Sequence, residues 1–169
     1  DRFRLDGKVA LITGGARGLG ETMAMALAEA GADIALSGRT VAACEATAGK
    51  IAAATGRRAQ GFGADVTVEA DVTRLVQEVE AALGPIDILI NSAGVNIRGP
   101  IQQLTEQDWD TVIDTNLKGP WLCARAVGPG MVERKWGRVI NMASVLGFIA
   151  LPGRTPYASS KAGVINLSK

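Results

Sequence analysis

A tyrosine and a lysine on one short segment could together move a proton. Tyr157-Ala158-Ser159-Ser160-Lys161 reads as helix, and positions i and i+4 share a helix face, so the phenol and the ammonium are neighbours. A phenol titrates near about 10, and a nearby ammonium favours its ionised form. By itself such a pair is an ordinary helix face, so its meaning depends on the rest of the chain. The chain has no histidine. That excludes Ser-His-Asp hydrolysis, Cys-His catalysis and His-ligated zinc. Proton chemistry must rest on Tyr, Lys, Asp, Glu, Cys or water. Ser144 follows a short apolar run, at the carboxyl edge where parallel sheets bind ligands. Its hydroxyl could hold a substrate carbonyl.

A second constellation is Thr13-Gly14-Gly15-Ala16-Arg17-Gly18-Leu19-Gly20, between an apolar run and an Ala-rich helix. Its spacing is G-x-x-x-G-x-G rather than the commoner G-x-G-x-x-G, but the physics is shared. Glycines let the backbone turn tightly and approach a pyrophosphate, and the helix N-terminus offers free N–H groups. The plain alternative is a tight strand-to-helix turn without a ligand. An NAD site usually has an acidic residue at the end of the next strand, to hold the ribose 2′-hydroxyl. Here the chain reads Leu36-Ser37-Gly38-Arg39-Thr40, with Gly38 in the acidic place. Arg17 opposes a helix macrodipole, and Arg39 follows Gly38. Two such cations fit a 2′-phosphate better than they fit a plain solvated surface, so NADP(H) is expected ahead of NAD(H).

The elements that must position these groups alternate. Strands are expected over 8–13, 33–37, 58–64, 86–90 and 137–142. Helices are expected over 18–30, 41–54, from a Thr67 cap to 83, from a Thr105/Asp108 capping box to 134, and from near 156 onward. This pattern implies an α/β fold, a doubly wound parallel sheet covered on both faces, with strand order 3-2-1-4-5. The 169 residues suit one domain, and 47% apolar content supplies a core. Lys plus Arg is 18 against 17 for Asp plus Glu, which gives no electrostatic case for a nucleic-acid partner. No apolar run reaches the roughly 20 residues of a membrane span. The start, Asp1-Arg2-Phe3-Arg4, has no signal-peptide core. Cys44 and Cys123 lack metal-type spacing and read as reduced thiols of a cytoplasmic protein.

Together these motifs resemble the short-chain dehydrogenase/reductase family over nearly the whole chain, from the glycine turn to the last helix. Asn91-Ser92-Ala93-Gly94 is similar to the family's N-N-A-G. Asp65-Val66 matches its adenine-contacting pair. Asn116, Ser144, Tyr157 and Lys161 match its catalytic positions. The resemblance implies a Rossmann-type fold that binds NADP(H) through Thr13, Gly14, Arg17, Gly18, Leu19, Gly20, Arg39, Asp65, Val66, Asn91, Ala93, Gly94, Tyr157 and Lys161. It implies that Tyr157 exchanges the hydroxyl proton and Ser144 orients the carbonyl. Lys161 would bind the nicotinamide ribose and favour the phenolate, and Asn116 would help hold a water. Family chains usually continue through two more strands, so residues 1–169 are expected to be a dinucleotide-binding and catalytic domain cut at its C-terminal side.

The resemblance implies a small carbonyl or alcohol as substrate. Asn96-Ile97-Arg98-Gly99-Pro100 resembles a loop of gluconate and polyol dehydrogenases. A 3-oxoacyl-carrier-protein reductase is the rival, but such enzymes tend to place a basic residue where this chain has Pro129. A non-catalytic NADP(H) sensor is the alternative from another class. The resemblance implies a homo-oligomer, most simply a homotetramer, and Trp109, Trp121, Leu122 and residues 164–167 offer apolar surface for it. Finally, Pro120 has no N–H for the Asn116 carbonyl. The helix should break there and free that carbonyl for a water reaching toward Lys161.

Overall fold

In the computed structural model residues 3–169 are described; Asp1 and Arg2 of the polar start lie outside the described residues. Five parallel strands form one sheet in the order β3-β2-β1-β4-β5, as the alternation predicts. They are β1 (Val9–Thr13), β2 (Asp33–Gly38), β3 (Ala59–Gly63), β4 (Ile88–Asn91) and β5 (Arg138–Asn141). The helices are α1 (Gly18–Glu29), α2 (Val41–Thr55), α3 (Glu69–Leu83), α4 (Glu106–Ile113), α5 (Gly119–Glu133) and α6 (Thr155–Leu167). All five residues of β1 are buried, because side chains alternate between two covered faces. Val9 and Leu11 pack with residues of α3 and α5, while Ala10 and Ile12 pack with residues of α1 and α2.

Register places the chemistry at one edge. Thr13 pairs with Ser37 on one side and Asn91 on the other, and Asn91 pairs with Asn141. The glycine turn, Gly38, the loop after β4 and Met142 therefore all leave the sheet at its carboxyl edge. At the opposite end, Asp33 is clamped by Arg57 (2.9 Å) and Arg58 (2.6 Å), which ties β2 to the start of β3. β5 is one of the two outer strands, with Val139 and Ile140 exposed.

Three expectations need correction. Thr67 does not cap α3; Val68 precedes the helix and no side chain caps it. Thr67 thus lies one residue outside the cap position, and its N–H and hydroxyl both donate to Asp65 Oδ1 (2.9 and 2.8 Å), a local turn before the helix. The helix expected from Thr105 to 134 begins with the expected capping box but is not one α-helix. Residues Asp114–Lys118 form a π turn in which the Gly119 N–H reaches the Asp114 carbonyl. Pro120 then sits in the first turn of α5, where a missing N–H is tolerated. The interruption thus starts upstream of the proline. Lastly, Leu122 and Val164 are core residues, 2% and 1% exposed, and offer no outer surface, whereas Trp109 and Trp121 are exposed. Both thiols are buried: desolvation pushes Cys123 up to about 12, and desolvation, then the Glu45 charge, raises Cys44.

Candidate functional site

The turn after β1 needs its glycines. Gly14 and Gly18 have φ of +65° and +57°, a region that favours glycine. A Cβ on Gly14 would lie 2.8 Å from the Ala93 Cα, and one on Gly20 would lie 2.4 Å from the Gly14 carbonyl oxygen. The Gly14 N–H donates to the Ser37 carbonyl (2.8 Å), holding the turn against β2. No side chain caps α1, whose preceding residue is Arg17. Its first N–H groups are free for an anion, and Gly18 leaves open space beside them.

Around this turn lies a cleft of about 960 Å³. It runs along the carboxyl edge from β2 and β3, across β1, to β4 and α6. Gly14, Arg17, Gly18, Leu19, Gly20, Arg39, Asp65, Val66, Ala93, Gly94, Tyr157 and Lys161 all line it. Thr13 and Asn91 do not; both are buried and brace the cleft from behind. The Thr13 hydroxyl accepts from the N–H groups of Ser92 (3.2 Å) and Ala93 (3.3 Å). Asn91 Nδ2 donates to Asn141 Oδ1 (2.8 Å) and to the Pro120 carbonyl (3.3 Å). Arg17 and Arg39 are exposed, and among the described residues neither has an acidic partner. Two free cations, an uncapped helix and a backbone cradle closed to any Cβ fit a dinucleotide phosphate.

Beside α6 the cleft changes character. Lys161 is 6% exposed, its Nζ stands 5.6 Å from the centroid of the Tyr157 ring and donates to the Met142 carbonyl. Burial lowers the pKa of this ammonium. Tyr157 is half-buried. Ser144 lies just beyond Met142 and Ala143, which line the cleft; Ser144 itself does not. Its Oγ accepts from the Leu146 N–H (3.2 Å), which leaves its own O–H free to donate.

Asn116, also outside the lining, sits in the π turn and is 1% exposed. Its Oδ1 accepts from the Val95 N–H (2.8 Å), and its Nδ2 donates to the Val95 carbonyl (2.9 Å) and Ser160 Oγ (3.2 Å). Ser160 in turn donates to the Tyr157 carbonyl (2.7 Å). One buried amide therefore joins the loop after β4 to the helix that carries the phenol. With both amide hydrogens used, that side chain has none left for a water. Pro120 supplies no N–H to the Asn116 carbonyl at the α spacing, nor to the Thr115 carbonyl in the wider π register. Ser160 was missed in the sequence. Its signal was present: it lies three residues after Tyr157 and one before Lys161, on the inward side of a helix.

The short chain dehydrogenase family model matches residues 8–169. The D-threitol dehydrogenase of Mycolicibacterium smegmatis is 43% identical over 167 residues, covering 99% of this chain and 64% of that protein. A 3-oxoacyl-[acyl-carrier-protein] reductase of Staphylococcus epidermidis is 37% identical, covering 96% and 66%. The crystal structure of a metagenomic short-chain oxidoreductase in complex with NADP superposes with a TM-score of 0.91 at 35% identity, covering 96% of this chain and 74% of that one. The chain thus spans 64% and 66% of the length of these two curated relatives. A sheet of this order, a glycine turn of this spacing and a match from β1 to the last residue have one common explanation: the chain belongs to the short-chain dehydrogenase family.

Proposed function

We propose that this protein is an NADP(H)-dependent oxidoreductase acting on a carbonyl or secondary alcohol, with residues 1–169 as its dinucleotide-binding and catalytic domain. The observation that carries the reading is one cleft holding both the glycine turn with its free arginines and the Tyr157/Lys161 pair. The nicotinamide, when bound, gives or takes the hydride. Tyr157 gives or takes the hydroxyl proton. Ser144 donates a hydrogen bond that orients the carbonyl. Lys161 holds the nicotinamide ribose, and its ammonium favours the phenolate. Asn116 fixes the loop after β4 against α6. Its main-chain carbonyl holds a water on the path to Lys161. Thr13 and Asn91 act on the cofactor only by bracing the cleft.

Gly38, Arg17 and Arg39 support NADP(H) over NAD(H), and the structural relative that carries NADP supports it as well. Arg39→Ala is expected to weaken NADPH binding by about tenfold or more, the size of a lost charge-assisted hydrogen bond, and to leave NADH within about twofold. Fluorescence titration with both nucleotides checks this. Equal affinity of the unmodified protein for the two would defeat the assignment.

For the substrate we favour a sugar, sugar acid or polyol. The loop from Asn96 to Pro100 and the D-threitol dehydrogenase relative support it. The 3-oxoacyl thioester reading has its own relative, but Pro129, inside α5, gives no cation for an acidic carrier. A non-catalytic sensor would not need Tyr157 and Lys161 in one cleft. A cytoplasmic setting fits the reduced thiols, and among the described residues no helix is long and apolar enough to cross a membrane. We further propose a homo-oligomer, most simply a tetramer, using the exposed Trp109 and Trp121 on α4 and α5. Sedimentation of the full-length protein should show it; only monomer at micromolar concentration would exclude it.

A further inference from the structure

The carboxylate of an NAD site needs a Cβ at the end of the second strand, and position 38 has none. A Cβ built on Gly38 would lie 3.2 Å from Cys44 Sγ, so the sulfur would have to give way. On its core side it has little room to do so. Cys44 is fully buried, in the apolar layer that α1 and α2 form on the sheet. Its backbone is pinned as well. A Cβ on Gly61 would lie 2.5 Å from the Cys44 carbonyl carbon and 2.3 Å from the Glu45 nitrogen, and one on Gly63 would lie 2.5 Å from Val41 Cγ2. The start of α2 thus rests on the backbones of β2 and β3, with Gly38, Gly61 and Gly63 as the clearance. Lifting α2 would pull Cys44, Ala48 and Ile51 out of the core. Gly38, Arg39 and Cys44 all line the cleft at its β2 side.

We propose that Cys44 is a specificity-determining residue for the nucleotide: its sulfur keeps position 38 free of a side chain, and so keeps the space beside Arg39 open for a 2′-phosphate. This rests on the NADP(H) reading above. Arg39 attracts the phosphate, and Cys44 excludes the side chain that would replace it. A carboxylate placed at position 38 is pushed off the position where it would meet a 2′-hydroxyl, because its Cβ cannot settle against the sulfur.

Two linked measurements on the full-length protein test this. The first is a thermal cycle. Gly38→Ala should lower Tm by about 2–6 °C, the shift expected for an overpacked methyl. In a Cys44→Ala background the same change should cost less than half as much. Cys44→Ser, with a smaller atom on a shorter bond, should give partial relief and serves if Cys44→Ala is too unstable. The second is binding, by fluorescence titration with NADH and NADPH. Gly38→Asp alone should gain less than about threefold in NADH affinity, and Gly38→Asp with Cys44→Ala about tenfold or more, a clear step on the affinity scale. Equal Tm losses in the two backgrounds, or equal NADH gains, would overturn the proposal. Failure of the NADP(H) reading looks different. The unmodified protein would then bind both nucleotides alike, and the thermal cycle would still report on the Cys44 contact.

Discussion

Tyr157→Phe is expected to lower turnover by about 10³-fold while NADPH affinity stays within about twofold. The variant keeps the ring, so the half-buried packing of the side chain beside Lys161 is unchanged. Only the O–H is lost, and none of these 169 residues is a histidine that could replace it. Lys161→Ala serves as the contrast. It should reduce turnover and nucleotide affinity together, because in the proposed mechanism one ammonium serves both the ribose and the phenol. It also leaves the Met142 carbonyl without the donor it has now. Steady-state turnover and a nucleotide titration on the same samples separate the two. Near-normal activity of Tyr157→Phe on a verified substrate would remove the proton-transfer role.

Asn116→Ala is expected to cost about 2–4 kcal/mol of stability, from three side-chain hydrogen bonds lost and their partners left unpaired. That corresponds to a Tm fall of roughly 5–10 °C, and turnover should fall with it. The reason is geometric. The amide ties the Val95 N–H and carbonyl to Ser160, and Ser160 to the Tyr157 carbonyl. Asn116→Asp should rescue little. A carboxylate still accepts from the Val95 N–H, but it faces the Val95 carbonyl with no donor. Differential scanning calorimetry checks this. A residue that only held a water would leave Tm unchanged, and that result would refute the bracing role.

The fold was legible where a local pattern matches a global need. The run Val9-Ala10-Leu11-Ile12 is apolar throughout because both faces of β1 are covered, and Thr105 with Asp108 makes its box within one helical turn. Legibility fails where a distant partner decides. The π turn at Asp114–Lys118 surrounds Asn116, whose partners Val95 and Ser160 are 21 and 44 residues away. Thr67 has the residue type of a cap, but the helix starts one residue later, after a turn that Asp65 closes by accepting from Thr67. Leu122 and Val164 looked like interface because the sequence gives the apolar stripe of a helix but not which neighbour covers it. In the site, residue types were readable from motif and spacing. The Met142 carbonyl was not, since a main-chain acceptor has no signature in the sequence.

NADPH oxidation by the full-length protein, followed by absorbance against a panel of sugar ketones, keto sugar acids, 3-oxoacyl thioesters and diketones, tests the central claim most directly. The expected result is turnover on the sugar ketones and keto sugar acids, with one alcohol formed per NADPH consumed, faster with NADPH than with NADH and abolished by Tyr157→Phe. Tight NADPH binding with no oxidation against any of these carbonyls would contradict the claim and make the protein a nucleotide-binding sensor instead.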